Sequence, residues 1–279
     1  MKLREMTIAD IPAGMRLKDL AGWNQTPEDW QRFLQSNPKG CFVAESEGAV
    51  CGTVTTIIYE ERLAWIGMVL VDPKNRGQGI GTQLLERAIE HLDARHISTI
   101  KLDATPQGKP IYERLGFVAE FEIERWTLAR QALTMPTEHQ LGKPELQGIL
   151  ELDRIVFGAD RKHLLASLHQ SAPEFTLSVS RGNNIAAYSF GRRGARADHL
   201  GPWMAEDESG AREILDEFLR RSQRDTIFVD CLKSNPFAGG LLRAVRCQVA
   251  RPLTRMERGS NAHPGRPDLL CAILGPEFG

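Results

Sequence analysis

Residues 69–82 read Val69-Leu70-Val71-Asp72-Pro73-Lys74-Asn75-Arg76-Gly77-Gln78-Gly79-Ile80-Gly81-Thr82, or VLVDPKNRGQGIGT. A branched apolar run stops at Asp-Pro, passes an arginine and three alternating glycines, and resumes as the amphipathic QLLERAIEHL. That order predicts a strand, a loop nearly bare of side chains, and a helix over roughly residues 81–94. Such a loop, running into a helix N-terminus, aims several backbone N–H groups at one spot, where the helix dipole also favours negative charge. Phosphate is the natural occupant, with Arg76 adding a side-chain contact and Thr82 helping to cap the helix. A glycine-rich turn made for packing alone is the competing reading. The stretch is not a P-loop, because the Lys-Ser/Thr that reaches the terminal phosphates is absent, and it lacks the Gly-x-Gly-x-x-Gly of dinucleotide sites.

Working outward, the preceding residues give a strand near KLREM and helices around IADIPAGMRLKDLAG and TPEDWQRFLQ. Strands GCFVAESE and AVCGTVTTIIYE follow, joined by a Glu-Gly turn, and then a buried strand, AWIGMVLV. After the helix come the strand STIKLDA, a short helix KPIYERL and a last strand beyond Gly116-Phe117. This is an α/β domain with a mixed sheet, of the α+β kind. The second half repeats the order: FTLSVSRGNNIAAYSFGR answers the hairpin, DHLGPWMAED answers AWIGMVLVD, AREILDEFLRRS the helix, and TIFVDC the strand TIKLDA. Two copies of one fold in tandem are expected, although any two α/β domains share such an order. The connector RQALTMPTEHQLGKPE places domains at 1–130 and 141–279 with a linker at 131–140.

The composition bounds the function. With 42% hydrophobic and 25% charged residues and a formal net charge of -1, the chain is a globular protein without electrostatic pull toward nucleic acid or anionic membrane. MKLREMTIAD lacks the apolar core of a signal peptide and no stretch reaches the ~20 apolar residues of a membrane span, so a cytoplasmic location is expected. Cys41, Cys51, Cys231, Cys247 and Cys271 are odd in number and widely spaced among apolar neighbours, which favours buried free thiols over disulfides or zinc. The seven histidines are scattered and no His-Glu-x-x-His occurs, so no protein-held metal is expected.

VLVDPKNRGQGIGTQLLERAIEHL followed by IKLDATPQGKPIYERLGF resembles the acetyl-CoA signature of the GNAT acetyltransferases and the strand and helix that follow it. With AGWNQTPEDW before it and GRRGARADHLGPWMAED in the second half, the likeness extends to a bacterial tandem subgroup called YitH-like, which carries a degenerate second GNAT-like domain. The resemblance implies two acyl-CoA N-acyltransferase domains in tandem and an acetyl group moved from acetyl-CoA to a primary amine. It further implies that backbone N–H groups across Arg76, Gly77, Gln78, Gly79, Ile80, Gly81 and Thr82 hold the pyrophosphate. The pantetheine arm would lie along Val69, Leu70 and Val71 as an added strand, with Val69 N–H as the oxyanion donor. Tyr112 stands where many members place the acid that protonates the departing thiolate; a core aromatic is its other reading.

The general base departs from the family pattern. Some relatives carry a glutamate where this chain has Trp65, and the strand AWIGMVLV holds no acid. Water, Asp103, Glu60 and Glu61 all remain open, and Asp103 could instead serve the turn at 105–108. Trp23, Asn24 and Gln25 suggest an aromatic wall with polar tips for the acceptor, a small-molecule or protein amine, with Trp65 and Trp203 counted beside them; Trp23 and Trp30 could equally be core. In the second copy AEDESGARE replaces the glycine loop, and its acids would repel a diphosphate. That copy builds part of the acceptor cleft through Asp198, His199, Trp203 and Asp230, mediates self-association as a homodimer, or is purely structural. The rival function is a non-catalytic acyl-CoA sensor or scaffold; a phosphate-binding regulatory fold is a third.

Overall fold

A short strand, β1 (Lys2–Glu5), leads into two helices, α1 (Ile11–Leu20) and α2 (Pro27–Ser36). Asp29 holds the start of α2 by accepting the Thr26 N–H at 2.9 Å. An antiparallel run follows: β2 (Phe42–Ser46), β3 (Ala49–Tyr59) and β4 (Leu63–Val71). Its turns fall at Glu47-Gly48 and Glu60-Glu61, residues with φ between +52° and +77°, the backbone that tight hairpins require. Next come α3 (Ile80–Ala94), β5 (Thr99–Ala104), α4 (Lys109–Arg114) and β6 (Val118–Ala129).

The second half repeats this order. Helices α5 (Leu146–Phe157) and α6 (Lys162–Ser171) precede the hairpin β7 (Leu177–Arg181) and β8 (Asn184–Arg193). Then follow β9 (Asp198–Ala205), α7 (Glu208–Arg221), β10 (Thr226–Leu232), α8 (Ala238–Ala244), β11 (Gln248–Gly259) and a short final strand, β12 (Leu270–Ala272). The mixed α/β class and the duplicated order read from the sequence are both present.

The computed structural model describes residues 1–129, 141–142 and 144–279, so the expected linker at 131–140 lies outside the described residues. Two units emerge. Unit 1 holds Met1–Ala119, Met256–Ala262 and Glu277–Gly279; unit 2 holds Glu120–Arg255 and His263–Pro276. Strands in unit 1 run β1-β2-β3-β4-β5, and the end of β11 lies beside β5, where Ser260 N–H bonds Ser98 O at 3.1 Å. Strands in unit 2 run β11-β6-β10-β12-β9-β8-β7. Nearly all of β6 therefore belongs with the second half of the sequence and the end of β11 with the first, so each unit closes on a strand supplied by the other half.

One face of the unit 1 sheet is covered by α3, whose Ile80, Leu84, Leu85, Ala88, Ile89 and Leu92 are buried at helical spacing. They pack with Val54, Ala64, Ile66, Ile100, Leu102 and Ala104 in one apolar cluster. At about 1.5–3 kcal/mol for each fully buried large aliphatic side chain, this face contributes several such burials to the site's scaffold. The separate core of unit 2 is built from β6, β7–β10, α7 and α8 and includes Trp126, Trp203 and Phe218.

Candidate functional site

Two irregularities in β4 define the site. Along β3 and β4 the pairing runs Thr55 with Gly67 but Thr53 with Leu70, so Met68 and Val69 together oppose one residue. This is a β-bulge, and Met68 takes φ +51° to make it. The extra residue switches the faces: Ala64 and Ile66 point to the α3 cluster before it, Val69 and Val71 after it. The Thr53 hydroxyl takes up the displaced Met68 carbonyl at 2.8 Å. On the other side, β4 pairs in parallel with β5 only from Leu63–Thr99 to Trp65–Lys101. Beyond that the strands part, leaving the backbone of residues 66–71 and 102–104 without each other as partners, an opening into which an extended amide chain fits.

The glycine loop leads from that opening to α3. Asp72 caps a short turn at Pro73–Asn75 by accepting Lys74 N–H at 3.0 Å, and Arg16 holds the same carboxylate at 2.5 Å. Gly77 and Gly79 adopt φ +78° and +75°, and a side chain at Gly77 would meet nothing within 4 Å. Gly79 caps α3, so Ile80, Gly81 and Thr82 form its first turn, where N–H groups have no helical partner. Thr82 lies inside that turn rather than capping it, because the left-handed Gly79 already closes the helix. Arg76, Gly77, Gln78 and Gly79 are exposed, and Arg76 Nε donates to Val71 O at 3.3 Å. The donors, the open space and the dipole suit a diphosphate.

The other expected residues distribute as follows. Tyr112, on α4, is half-buried against the α3 cluster, edge-on to Phe117 with ring centroids 6.2 Å apart. Burial alone pushes its phenol up to about 12. Asp103 stands on the parted stretch of β5, and its neighbours Leu102 and Ala104 turn to α3, so its side chain takes the other face, shared with Trp65. Glu60 and Glu61 sit at the hairpin tip, paired with Arg62 and Arg95, at the closed end of the β4–β5 pair. Trp23, Asn24 and Gln25 lie between α1 and α2; Trp23 is partly exposed, the two amides are buried, and Gln25 Oε1 has no hydrogen-bond partner. Trp30 and Trp65 are buried in unit 1 and Trp203 lies in the unit 2 core.

Two features of the site carry no local sequence signal. The Thr55 hydroxyl, paired across from Gly67, is buried without a partner. Residues 277–279 lie on the same face: Tyr59 donates to Phe278 O at 2.7 Å across a sequence separation of 219, and Phe278 stacks on Phe33 at 4.8 Å.

In the second copy each equivalent feature is filled by the chain itself. Its register slip falls at Gly201-Pro202, where proline has no N–H to offer. Strands β9 and β10 pair from Asp198–Ile227 to Leu200–Val229 and then part, but β12 enters the gap and bonds to both. The α7 N-terminus is capped by Asp207, whose carboxylate accepts Gly210 N–H at 2.7 Å. Asp198, His199 and Asp230 are all buried. Arg125 grips Asp230 at 2.8 and 2.6 Å, His199 Nε2 lies 3.0 Å from it, and Ser222 donates to Asp198 at 2.7 Å. Burial is the strongest single influence on Asp230 and opposes its ionisation, but Arg125 and His199 together outweigh it and keep the carboxyl well below its usual range; burial lowers His199.

Among the described residues the five cysteines are free and buried, and burial pushes Cys41, Cys231 and Cys247 up to about 12. Among the same residues no group of three or more metal-ligating side chains stands together, and no helix is long and apolar enough to cross a membrane.

Residues 13–117 match the model described as the Acetyltransferase (GNAT) family, and residues 149–272 match one described as an Acetyltransferase (GNAT) domain. A holothin acyltransferase of a Pseudoalteromonas species is 24% identical over 189 residues, 67% of this chain and 63% of its own, so the chain spans just under two thirds of that relative. YitH of Bacillus subtilis, described as an uncharacterized N-acetyltransferase, is 24% identical over 219 residues, covering 77% of this chain and 76% of its own. The crystal structure of a Pyrococcus horikoshii protein described as an acetyltransferase superposes with a TM-score of 0.84 over 100% of this chain and 95% of that one, at 23% identity. A GCN5-related N-acetyltransferase from Sphaerobacter thermophilus gives 0.66 over 95% and 96%, at 17% identity. At these identities the structural likeness is one of fold.

Proposed function

Because the chain belongs to the GNAT acetyltransferase family, with a domain of that family in each half, we propose that unit 1 moves an acetyl group from acetyl-CoA directly onto a primary amine. Membership makes the chain an acyltransferase and implies an acyl-CoA donor; the acetyl group and the amine acceptor belong to the proposal. The observation that carries it is the parting of β4 from β5 after Trp65–Lys101, directly beside the bulge at Met68-Val69.

Acetyl-CoA supplies an acetyl group activated as a thioester. The N–H groups of Ile80, Gly81 and Thr82, with the turn from Arg76 to Gly79, hold its diphosphate, and the free edge of Val69, Leu70 and Val71 holds its amide arm. Val69 N–H, displaced by the bulge, donates to the charge that builds on the carbonyl oxygen. Tyr112 keeps its proton throughout the working range, since burial lifts the phenol to about 12, and offers it to the sulfur as the C–S bond breaks. Trp23, Asn24, Gln25 and Asp103 line the acceptor side. The second copy, with its opening and helix N-terminus filled, takes no donor.

Incubating the protein with acetyl-CoA and a panel of primary amines, and following release of the free thiol, tests this reading. Turnover with at least one amine is expected. Tight donor binding without acetylation of any amine would favour a non-catalytic acyl-CoA sensor instead.

A further inference from the structure

A primary amine with a pKa near that of lysine, about 10.4, arrives as an ammonium and has to lose a proton before it can attack. Strand β4 carries no acid, yet one is delivered to it from far along the sequence. A side chain built at Gly67 would meet Glu277: its carbonyl oxygen at 2.9 Å, its Cα at 3.0 Å and its Cβ at 3.3 Å. Glycine at 67 is what lets Glu277 lie against the strand, one residue before the bulge. Glu277 is 3% exposed.

The surroundings fix it there. Thr55, Ile57 and Tyr59 alternate onto the face of β3 opposite α3; Thr55 sits directly across from Gly67, and Tyr59 binds the Phe278 carbonyl at 2.7 Å. Residues 277–278 are thus held at two points, against Gly67 and by the hydroxyl of Tyr59. The ring of Phe278, stacked on Phe33 with planes 20° apart, clamps the second point. At the first point the Thr55 hydroxyl is buried and unpartnered, a polar atom on the same face of the sheet as Gly67. The other acids fit less well. Glu60 and Glu61 are at the far tip of the hairpin, and Asp103 stands on the stretch of β5 that no longer pairs with β4.

Resting on the acyl-transfer reading of unit 1, the geometry points to Glu277 as the catalytic base that receives the amine's proton, with Thr55 binding the same nitrogen. Glu277 takes one proton as the nitrogen lone pair forms the N–C bond to the thioester carbonyl carbon. The C–S bond breaks, its electron pair stays on sulfur, and sulfur takes the proton of Tyr112. The proton on Glu277 returns through water to the phenolate, so neutral amine and thioester give amide and thiol with no net proton; an ammonium releases one more to solvent.

Crystals grown with acetyl-CoA are expected to place the Glu277 carboxylate within ~6 Å of the thioester carbon, the reach of one bridging water. Calorimetric titration of Glu277→Gln is expected to give a Kd for acetyl-CoA within about twofold of wild type, while kcat for the best primary amine of the panel falls about 100-fold. The acidic limb of its pH–rate profile disappears, and Glu277→Asp recovers part of the rate. A bound thioester more than ~8 Å from the carboxylate, beyond a single water, overturns the assignment, with or without a known acceptor. So does Glu277→Gln with the wild-type rate and profile, or loss of that limb in Asp103→Asn instead. Failure of the wild-type protein to bind acetyl-CoA overturns the donor reading itself, and this inference with it.

Discussion

Asp10 joins the first strand to the first helix. Arg4 bonds it twice at 2.8 Å, and Thr7 adds its N–H at 2.8 Å and its hydroxyl at 3.0 Å. The Arg4 guanidinium holds the Asp10 carboxyl down at about 2 against an ordinary 3.8. A carboxyl depressed in the folded state stabilises above its unfolded value and loses that contribution as pH falls through the folded one. Asp10→Asn is therefore expected to cost on the order of 1 kcal/mol at pH 7 after solvent screening, with the difference closing between pH 4 and pH 2. Urea melts across that range check it; a difference independent of pH would sink it. For Tyr112→Phe, kcat is expected to fall about 10–100-fold with the KM for acetyl-CoA within about twofold, because only the proton donor is removed. An unaltered rate in the thiol assay would retire the assignment. The two residues are not equally legible in the sequence: Tyr112 lies in a motif that follows the glycine loop, whereas the partnership of Arg4 with Asp10 depends on how β1 meets the turn after it.

At the scale of elements, the glycine loop and α3 are the part of the site most legible in the sequence. The signals are local: Asp-Pro ends β4, Gly79 must turn left-handed, and the apolar residues of α3 recur at helical spacing. The bulge left no such trace, since MVLV reads as plain buried strand and only its pairing with β3 shows the slip. The test at this scale is Gly79→Asp. Gly79 has φ +75°, and its nearest neighbour is Gln83 Nε2 at 3.8 Å, so a side chain finds room at a backbone cost of about 1 kcal/mol. A carboxylate at the mouth of the helix N-terminus opposes a diphosphate there. Donor affinity is expected to fall at least ~100-fold, as two like charges at such range are repelled by a few kcal/mol. Calorimetry beside a thermal melt reads both effects; retained affinity would mean that the diphosphate lies elsewhere.

At the scale of the whole molecule, the duplication was legible and its asymmetry only partly so. Four acids in AEDESGARE already oppose an anion at that helix N-terminus, but the three residues of β12 that fill the second opening look like any short apolar run. Likewise nothing near GPEFG indicates that Glu277 belongs beside Gly67, because that placement depends on the course of the chain after β12. The filled opening makes a countable prediction: acetyl-CoA should titrate to one equivalent per chain in calorimetry, and a second site of comparable affinity would refute it. A larger consequence follows from the crossing of β6 and β11. Were the gene cut between its halves, the first product would carry β6 and the second the end of β11, each fitted to the other fragment, and each would lack the strand that closes its own unit. Recombinant halves made separately should therefore be poorly soluble, yet regain structure when produced together in one cell.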